Sequence, residues 1–292
     1  MSYIIMTDTS ANVPTPLARE QGIIVVPLSY TAGGEEHICL DTDAFEYVPY
    51  YEAMKNGERI TTSQINPQRY VEYMEPVLRE GRDILFVGMS SGISGSFNSA
   101  TIAKEQLEES YPERSICLVD SHGASLGEGL LVLQAAAWQA EGRSIQQNAG
   151  DLTALREKMY QVFTVDDLMH LRRGGRLSNA SALVGTVLNV KPVLKGNENG
   201  KIVSFAKVRG RKKVIDRLAQ IYDELVVDAP GQTVGISHAN CPEDAAALRE
   251  LICRTHAPRE VLIVDHEPVT GSYLGPGALA LYFLGDENVR TR

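Results

Sequence analysis

The sequence predicts an α/β protein of two domains. Three observations carry that reading. Short apolar runs rich in β-branched residues recur along the chain, helical periodicities stand between several of them, and past the middle this alternation gives way to strand-turn-strand patterning. The runs fall at residues 3–6, 23–28, 84–87, 116–119, 234–236 and 261–264. Continuous apolar runs bounded by polar turns suit parallel strands covered on both faces, so the first half is expected to be a three-layer α/β/α domain with a parallel sheet. Phe97, Ala100, Ala103, Leu107 and Tyr111 recur at three- and four-residue steps and give a helix that stops near Pro112, its beginning capped by the serines ahead of it. Residues 126–140, rich in Leu and Ala, make a second helix ending near Gly142, and a third runs from about 212 to 226. Residues 160–165, 187–194 and 201–208 read as strands, with Gly196-Asn197-Glu198-Asn199-Gly200 as a hairpin turn between the last two. The second domain is therefore expected to be a two-layer α/β unit on a mixed sheet, with domains at 1–158 and 159–292. A cleft between domains is a common place for a ligand.

With 292 residues, 43% of them hydrophobic, the chain can bury substantial cores, and its net charge of −9 argues against nucleic acid as a partner. No apolar run approaches the roughly 18 to 20 residues that cross a bilayer, and the first residues lack a basic stretch and a cleavage site. A cytoplasmic location is the expectation. Cys39, Cys117, Cys241 and Cys253 form no CxxC pair, and the six histidines show no HxH or HExxH spacing, so neither a metal nor a cofactor is expected. Asp8 and Asp120 each follow a strand and read as strand-end residues rather than as a metal pair.

Two polar segments are the chemistry-bearing candidates: Thr61-Thr62-Ser63-Gln64, and Ser90-Ser91-Gly92-Ile93-Ser94-Gly95-Ser96. Hydroxyls and free backbone N–H groups at a turn or a helix start hold an anion without a buried cation, and glycines let the backbone approach it. The two segments read as halves of one carboxylate or phosphate pocket. In the first, Ser63 or Asn66 caps the helix that Pro67 opens, leaving Thr62 to bind. The alternative function is an α/β serine hydrolase. Gly88-Met89-Ser90-Ser91-Gly92 matches the G-x-S-x-G elbow, and Asp120 with His238 or His266 follows in triad order. Against it, Ile93-Ser94-Gly95-Ser96 continues a polar turn where an elbow starts its helix.

On these segments, together with Thr7-Asp8-Thr9-Ser10, Val26-Pro27-Leu28, Val119-Asp120-Ser121, Gly127-Glu128-Gly129, Leu171-Arg172-Arg173-Gly174-Gly175-Arg176-Leu177, Lys191-Pro192-Val193 and Gly275-Pro276-Gly277-Ala278, the chain resembles the DegV family of bacterial fatty-acid-binding proteins nearly end to end. The resemblance implies two α/β domains with a long-chain fatty acid such as palmitate bound between them. Its carboxylate would be held by a threonine and a serine that fall on Thr62 and Ser94, with Thr61, Ser63, Gly95, Ser96, Arg172 and Tyr273 as further contacts. It also implies a non-catalytic role, as the acyl-carrying subunit of a fatty acid kinase that presents the acid to an ATP-using partner. The chain departs from the family where a His commonly precedes the C-terminal glycine-proline turn, because Tyr273 stands there. A phenol donates a hydrogen bond but does not normally carry positive charge, so this change bears on phosphoryl transfer more than on binding.

Burying one CH₂ is worth ~0.8 kcal/mol, so a chain of about 16 carbons offers ~10 kcal/mol gross. The tail supplies affinity. A desolvated carboxylate costs several kcal/mol unless hydrogen-bonded, so the polar head fixes orientation. Finally, Arg172, Arg173, Arg176, Lys191, Lys195, Lys201, Lys207, Arg209, Arg211, Lys212 and Lys213 crowd a stretch whose only acids are Asp166, Asp167 and Glu198. This reads either as a solvated face or as a docking surface, with Arg173, Arg176 and Arg209 as its contacts. Arg172 and Arg176 would share a face if the segment were helical.

Overall fold

The computed structural model describes residues 3–178 and 189–292. In chain order the first elements are β1 (Tyr3–Asp8), α1 (Thr15–Glu20), β2 (Ile24–Val26), β3 (Ser29–Ala32), β4 (Glu35–Ile38), α2 (Tyr47–Lys55) and β5 (Thr61–Ser63). Next come α3 (Pro67–Arg79), β6 (Asp83–Gly88), α4 (Ser96–Ser110), β7 (Ile116–Asp120), α5 (Leu126–Ala140) and α6 (Ile145–Leu155). Then follow β8 (Met159–Thr164), α7 (Met169–Gly174), β9 (Val190–Gly196), β10 (Ile202–Arg209), α8 (Arg211–Leu225), β11 (Thr233–His238), α9 (Pro242–Thr255), β12 (Glu260–Asp265), α10 (Pro268–Leu274) and β13 (Leu279–Leu284).

The chain divides into two compact units, Met1–Phe45 with Thr61–Arg156, and Glu46–Ile60 with Glu157–Arg292. A single cut near residue 158 passes the chain between domains once; here the segment Glu46–Ile60, which holds α2, belongs with the second unit. Two tyrosines tie it there: the Tyr50 hydroxyl donates to the Pro268 carbonyl and the Tyr51 hydroxyl to that of His266, both at 2.7 Å.

In the first unit β2, β1, β6 and β7 form a parallel sheet in that order. Helices α3 and α4 pack on each other and on its strands, and α5 and α6 do the same as a second pair, which gives the expected α/β/α layering. Ile84, Leu85, Phe86 and Val87 are all fully buried, as a strand covered on both faces requires. Helix α4 stops at Ser110, just ahead of Pro112, and α3 begins at Pro67 with Asn66 as its cap, whose side chain accepts from the Arg69 amide at 2.9 Å. A small antiparallel sheet of β4, β3 and β5 is an element the sequence pattern did not reveal. Its strands run three or four residues and are mostly polar, so period-2 alternation has nothing to mark.

The second unit is built on a mixed sheet in the order β10-β9-β8-β13-β11-β12. Strands β9 and β10 pair antiparallel across the glycine-flanked turn, as expected; residues 187 and 188, also read as strand, lie outside the described residues. Helices α8 and α9 pack together over the face bearing Tyr160, Val162, Val234, Ile236, Leu281 and Phe283. Strand β13, unremarked in the sequence, pairs antiparallel with both β8 and β11 and so joins the two halves of this sheet.

On β11 the Ser237 hydroxyl lies 3.0 Å from His266 Nε2 and 2.9 Å from the Tyr282 hydroxyl. Burial holds the His266 imidazole neutral, pushing its pKa down to about 3, with the nearby His238 acting in the same sense. The unfolded chain binds a proton at its ordinary value of 6.5 that the native state refuses, so stability rises with pH across that window by about 1.4 kcal/mol per unit. On acidification from pH 7 to 4.5, His266→Gln should therefore lose less stability than the wild type, as read from urea midpoints at both pH values. Equal losses would place the acid sensitivity elsewhere.

Candidate functional site

The parallel strands of the first sheet end along one edge, where α/β proteins place ligands. The register pairs Met6 with Phe86 and Gly88 with Asp120, which brings Asp8, Gly88 and Asp120 to one level. Asp8 is fully buried, and its two oxygens accept from the Ser10 amide at 2.9 Å and from the Met89 amide at 3.2 Å. Desolvation raises its pKa, opposed by these hydrogen bonds. Asp120 accepts from the Ser91 amide at 3.3 Å and from the His122 amide at 3.0 Å. The turn from Met89 to Ser91 is thus slung between two carboxylates at the ends of the two strands that flank β6. Their oxygens are committed to backbone N–H groups, and among the described residues no group of three or more His, Cys, Asp or Glu is placed to hold a metal.

Between the two carboxylates sits Ser90, with no exposed surface. Its amide donates to the Gly123 carbonyl at 2.8 Å, its hydroxyl accepts from the Gly92 amide at 3.1 Å, and its carbonyl accepts from the Ile93 and Ser94 amides at 3.2 and 3.1 Å. A nucleophile elbow presents its hydroxyl at the surface; this hydroxyl closes its own turn. The two histidines offered as the base are engaged elsewhere, His238 with Asp265 at 3.0 Å and His266 with Ser237. The geometry sets the hydrolase alternative aside.

The same bonds revise the expectation of free turn amides, because Gly92, Ile93, Ser94 and Ser96 all spend theirs inside the loop. Gly95 alone in that turn has an amide without a partner among the described residues. At the start of α4 Gly95 holds the N-cap position, and the serine ahead of it serves the helix end: Ser94 Oγ accepts from the first helical amide, that of Ser96, at 3.2 Å.

The two candidate segments converge. Ser94 donates its hydroxyl proton to Ser96 Oγ at 3.0 Å, and the same Ser96 oxygen accepts from the Ile65 amide at 3.2 Å, which pins the end of the threonine segment to the start of α4. Gln64 lies over Gly95, where a Cβ would stand 2.1 Å from Gln64 Oε1. Thr62 is half-buried on β5, paired with Tyr30 of β3. Successive strand residues point to opposite faces, so Thr61 and Ser63, both exposed, face away from Thr62. The contacts that join the two segments run from Gln64 and Ile65 to Gly95 and Ser96, and along β5 Thr61 and Ser63 lie on the opposite face from Thr62.

A crevice of about 190 Å³ opens near Asp8, lined by Thr7, Thr9, Asn12, Thr15 and Thr42 among others. Val13, Ala18, Ile23, Val25 and Leu40 supply the apolar part of its walls.

Arg172, Arg173, Arg176, Arg209 and Tyr273 belong to the second unit. Helix α7 ends at Gly174, with Gly175 in the left-handed region at φ 70°, so Arg176 has left the helix and does not share a face with Arg172. Arg176 instead stacks on the Tyr273 ring, 4.6 Å from its centroid, and that ring packs on Gly174, where a Cβ would meet it at 2.3 Å. Arg172, Arg173 and Arg209 are exposed. Other parts of the basic run are neutralised: Lys191 pairs with Asp166 at 2.6 Å, and Arg211 with Asp244 at 2.7 Å.

Residues 2–286 match the family model described as "Uncharacterised protein, DegV family". The chain belongs to the DegV family. A DegV domain-containing protein of Clostridium perfringens (strain 13 / Type A) is 38% identical over 286 residues, covering 97% of this chain and 98% of that protein. Among solved structures, DegV from Bacillus subtilis, described as a fatty acid binding protein, is 31% identical with a TM-score of 0.83, covering 98% of this chain and all of that one. A fatty acid binding DegV family protein from Streptococcus agalactiae is 30% identical with a TM-score of 0.85, covering 98% and 99%.

Sequence reasoning assigned no role to Glu128 beyond its place in the DegV pattern. Fully buried in the first turn of α5, it accepts from the Thr7 hydroxyl at 2.9 Å and the Ser10 hydroxyl at 2.6 Å, tying that helix to the end of β1. A carboxylate opening an otherwise apolar helix was the available signal. Beside it, Gly129 lets α5 approach the Thr9–Ala11 turn so closely that a Cβ would stand 2.3 Å from the Ala11 carbonyl oxygen. Gly129→Ala should destabilise the protein by about 1 to 3 kcal/mol, read as a lowered urea midpoint with an unchanged far-ultraviolet spectrum before the transition.

Proposed function

We propose that this chain binds one long-chain fatty acid noncovalently, with its carboxylate held by the Thr62 and Ser94 hydroxyls, and that it is a carrier rather than an enzyme. The observation that supports this most is the convergence of the two hydroxyl segments at a strand-end edge, pinned by Ser96 to the Ile65 amide. That the B. subtilis and S. agalactiae relatives are described as fatty acid binding points the same way. The acyl tail supplies ~0.8 kcal/mol per buried CH₂, and the hydroxyls offset the desolvation of the head. Resemblance to the family extends the site to Arg172 and Tyr273.

The proposal further places the protein in the cytoplasm, consistent with the finding that no helix among the described residues is long and apolar enough to cross a membrane. There it presents the acid to an ATP-dependent kinase subunit, and Arg173, Arg176 and Arg209 form the docking contacts. The Arg176 guanidinium held on Tyr273 supplies a fixed cation on the segment where the family's usual histidine is replaced.

Denaturing extraction of the purified protein followed by mass spectrometry should release about one free acyl chain per polypeptide. Replacing both Thr62 and Ser94 with Ala should weaken palmitate binding by about a hundredfold or more, since charge-assisted hydrogen bonds contribute roughly 1.5 to 3 kcal/mol each. Ser90→Ala should bind as the wild type does if it remains folded. Undiminished palmitate affinity in the double variant would remove Thr62 and Ser94 from the site.

A further inference from the structure

Gly95 opens α4 with φ −77° and ψ −5°, a right-handed backbone that L-residues adopt freely, so its conformation does not call for glycine. Ser, Thr, Asn and Asp are the residues a helix ordinarily takes at this position. What the position demands is room. A Cβ on residue 95 would stand 2.1 Å from Oε1, 3.0 Å from Cδ and 3.3 Å from Nε2 of Gln64. All three atoms belong to one carboxamide, so the space is held by a polar group rather than by core. That carboxamide has no hydrogen-bond partner among the described residues, and Gln64 is exposed. The residue after it is fixed: Ile65 is buried, and its amide donates to Ser96 Oγ at 3.2 Å. Gln64 therefore stands two residues on from Thr62 with its side chain laid on the residue that follows Ser94, its donors and its acceptor uncommitted.

We propose that Gln64 is a further head-group contact of the fatty acid, its carboxamide donating to the carboxylate beside Thr62 and Ser94, and that residue 95 is glycine to leave that carboxamide its place. The inference rests on the fatty-acid reading above. A carboxylate has about four lone-pair sites, so two hydroxyl donors leave capacity for a third donor. A carboxamide supplies two N–H donors and carries no charge. Donation to an ionised group is stronger than donation to a neutral one, so Gln64 favours the acid in its ionised form. Glutamate has the same shape but no donor, and its charge would stand against that of the ligand. An alcohol head has no charge to be repelled, and a carboxylate at residue 64 can accept its proton. Residue 64 thus acts on the charge of the head group, while the acyl tail contributes the same with either head. Gly95 acts only through Gln64: any side chain there evicts the carboxamide.

The test uses the full-length protein stripped of lipid, with palmitate and 1-hexadecanol as the probes in equilibrium binding at pH 8. Gln64→Ala should bind palmitate about tenfold more weakly than wild type, the loss of one hydrogen bond to a charged group. Gln64→Glu should bind it about a hundredfold more weakly, because repulsion adds to the lost donor, yet bind 1-hexadecanol within about threefold of wild type. Gly95→Ala should match Gln64→Ala, and the two changes together should cost no more than either alone. Palmitate affinity in Gln64→Glu equal to that of wild type, or an equal loss for both probes, overturns the inference and leaves fatty acid binding intact. A folded wild type that binds no palmitate at all overturns the underlying reading instead. Thermal melting of each variant, expected to show one cooperative transition, separates lost binding from lost structure. Gln64 is exposed, so its two variants decide the matter even where Gly95→Ala does not fold.

Discussion

The candidate site depends on two buried or nearly buried carboxylates placed one strand apart. Asp8 at the end of β1 and Asp120 at the end of β7 flank β6, and each spends its acceptor capacity on backbone amides of the chain leaving a strand. A buried carboxylate without such partners carries a penalty of several kcal/mol, so the loop that supplies the amides is held where the sheet puts the charges. The turn from Met89 to Ser91 therefore has little freedom, and Ser94 and Ser96, reached through the Ser90 carbonyl, inherit its position. Glu128 repeats the device from α5, anchoring the far side of β1 through Thr7 and Ser10.

Once that turn is fixed, the local chemistry follows from saturation. Most amides of the serine loop are consumed inside it, so the loop is not the open nest of N–H groups that its glycine and serine content suggests. Among the described residues, the amide of that turn left without a partner is that of Gly95. In the second unit the relation between sequence and geometry is different. Gly174 and Gly175 end α7 and admit the Tyr273 ring, and Arg176 turns back onto that ring instead of continuing along the helix face. The basic run is correspondingly uneven: Lys191 and Arg211 are paired with acids while Arg172, Arg173 and Arg209 stand exposed.

Much of the architecture was legible because its signals are strong and local. Residues 84–87 are apolar throughout because both faces of β6 are covered, and Phe97 to Leu107 repeat at helical spacing because one face of α4 is buried. Asn66 ahead of Pro67 announces a helix start, and the structure uses it as one. The elements that escaped notice lack such signals. Strand β5 is three hydroxyl residues with no apolar alternation, and β13, although apolar, stands isolated after a glycine-rich turn. Segment Glu46–Ile60 gives no sign of its unit because the partners that hold it, the Pro268 and His266 carbonyls, are more than two hundred residues away.

By itself the sequence determined the fold class, the family and the two segments that carry the hydroxyls, since periodicity, turn chemistry and ordered motifs are properties of neighbouring residues. Tertiary structure alone decided which way those hydroxyls face and what they bond. Strand pairing turns Thr62 to one face and Thr61 with Ser63 to the other, the sheet edge clamps Ser90 out of reach, and Ser96 meets the Ile65 amide across a separation of 31 residues. A one-dimensional pattern reports which groups are present. Their direction and the filling of their hydrogen-bonding capacity are set by partners that only folding brings within 3 Å or so, the reach of a hydrogen bond.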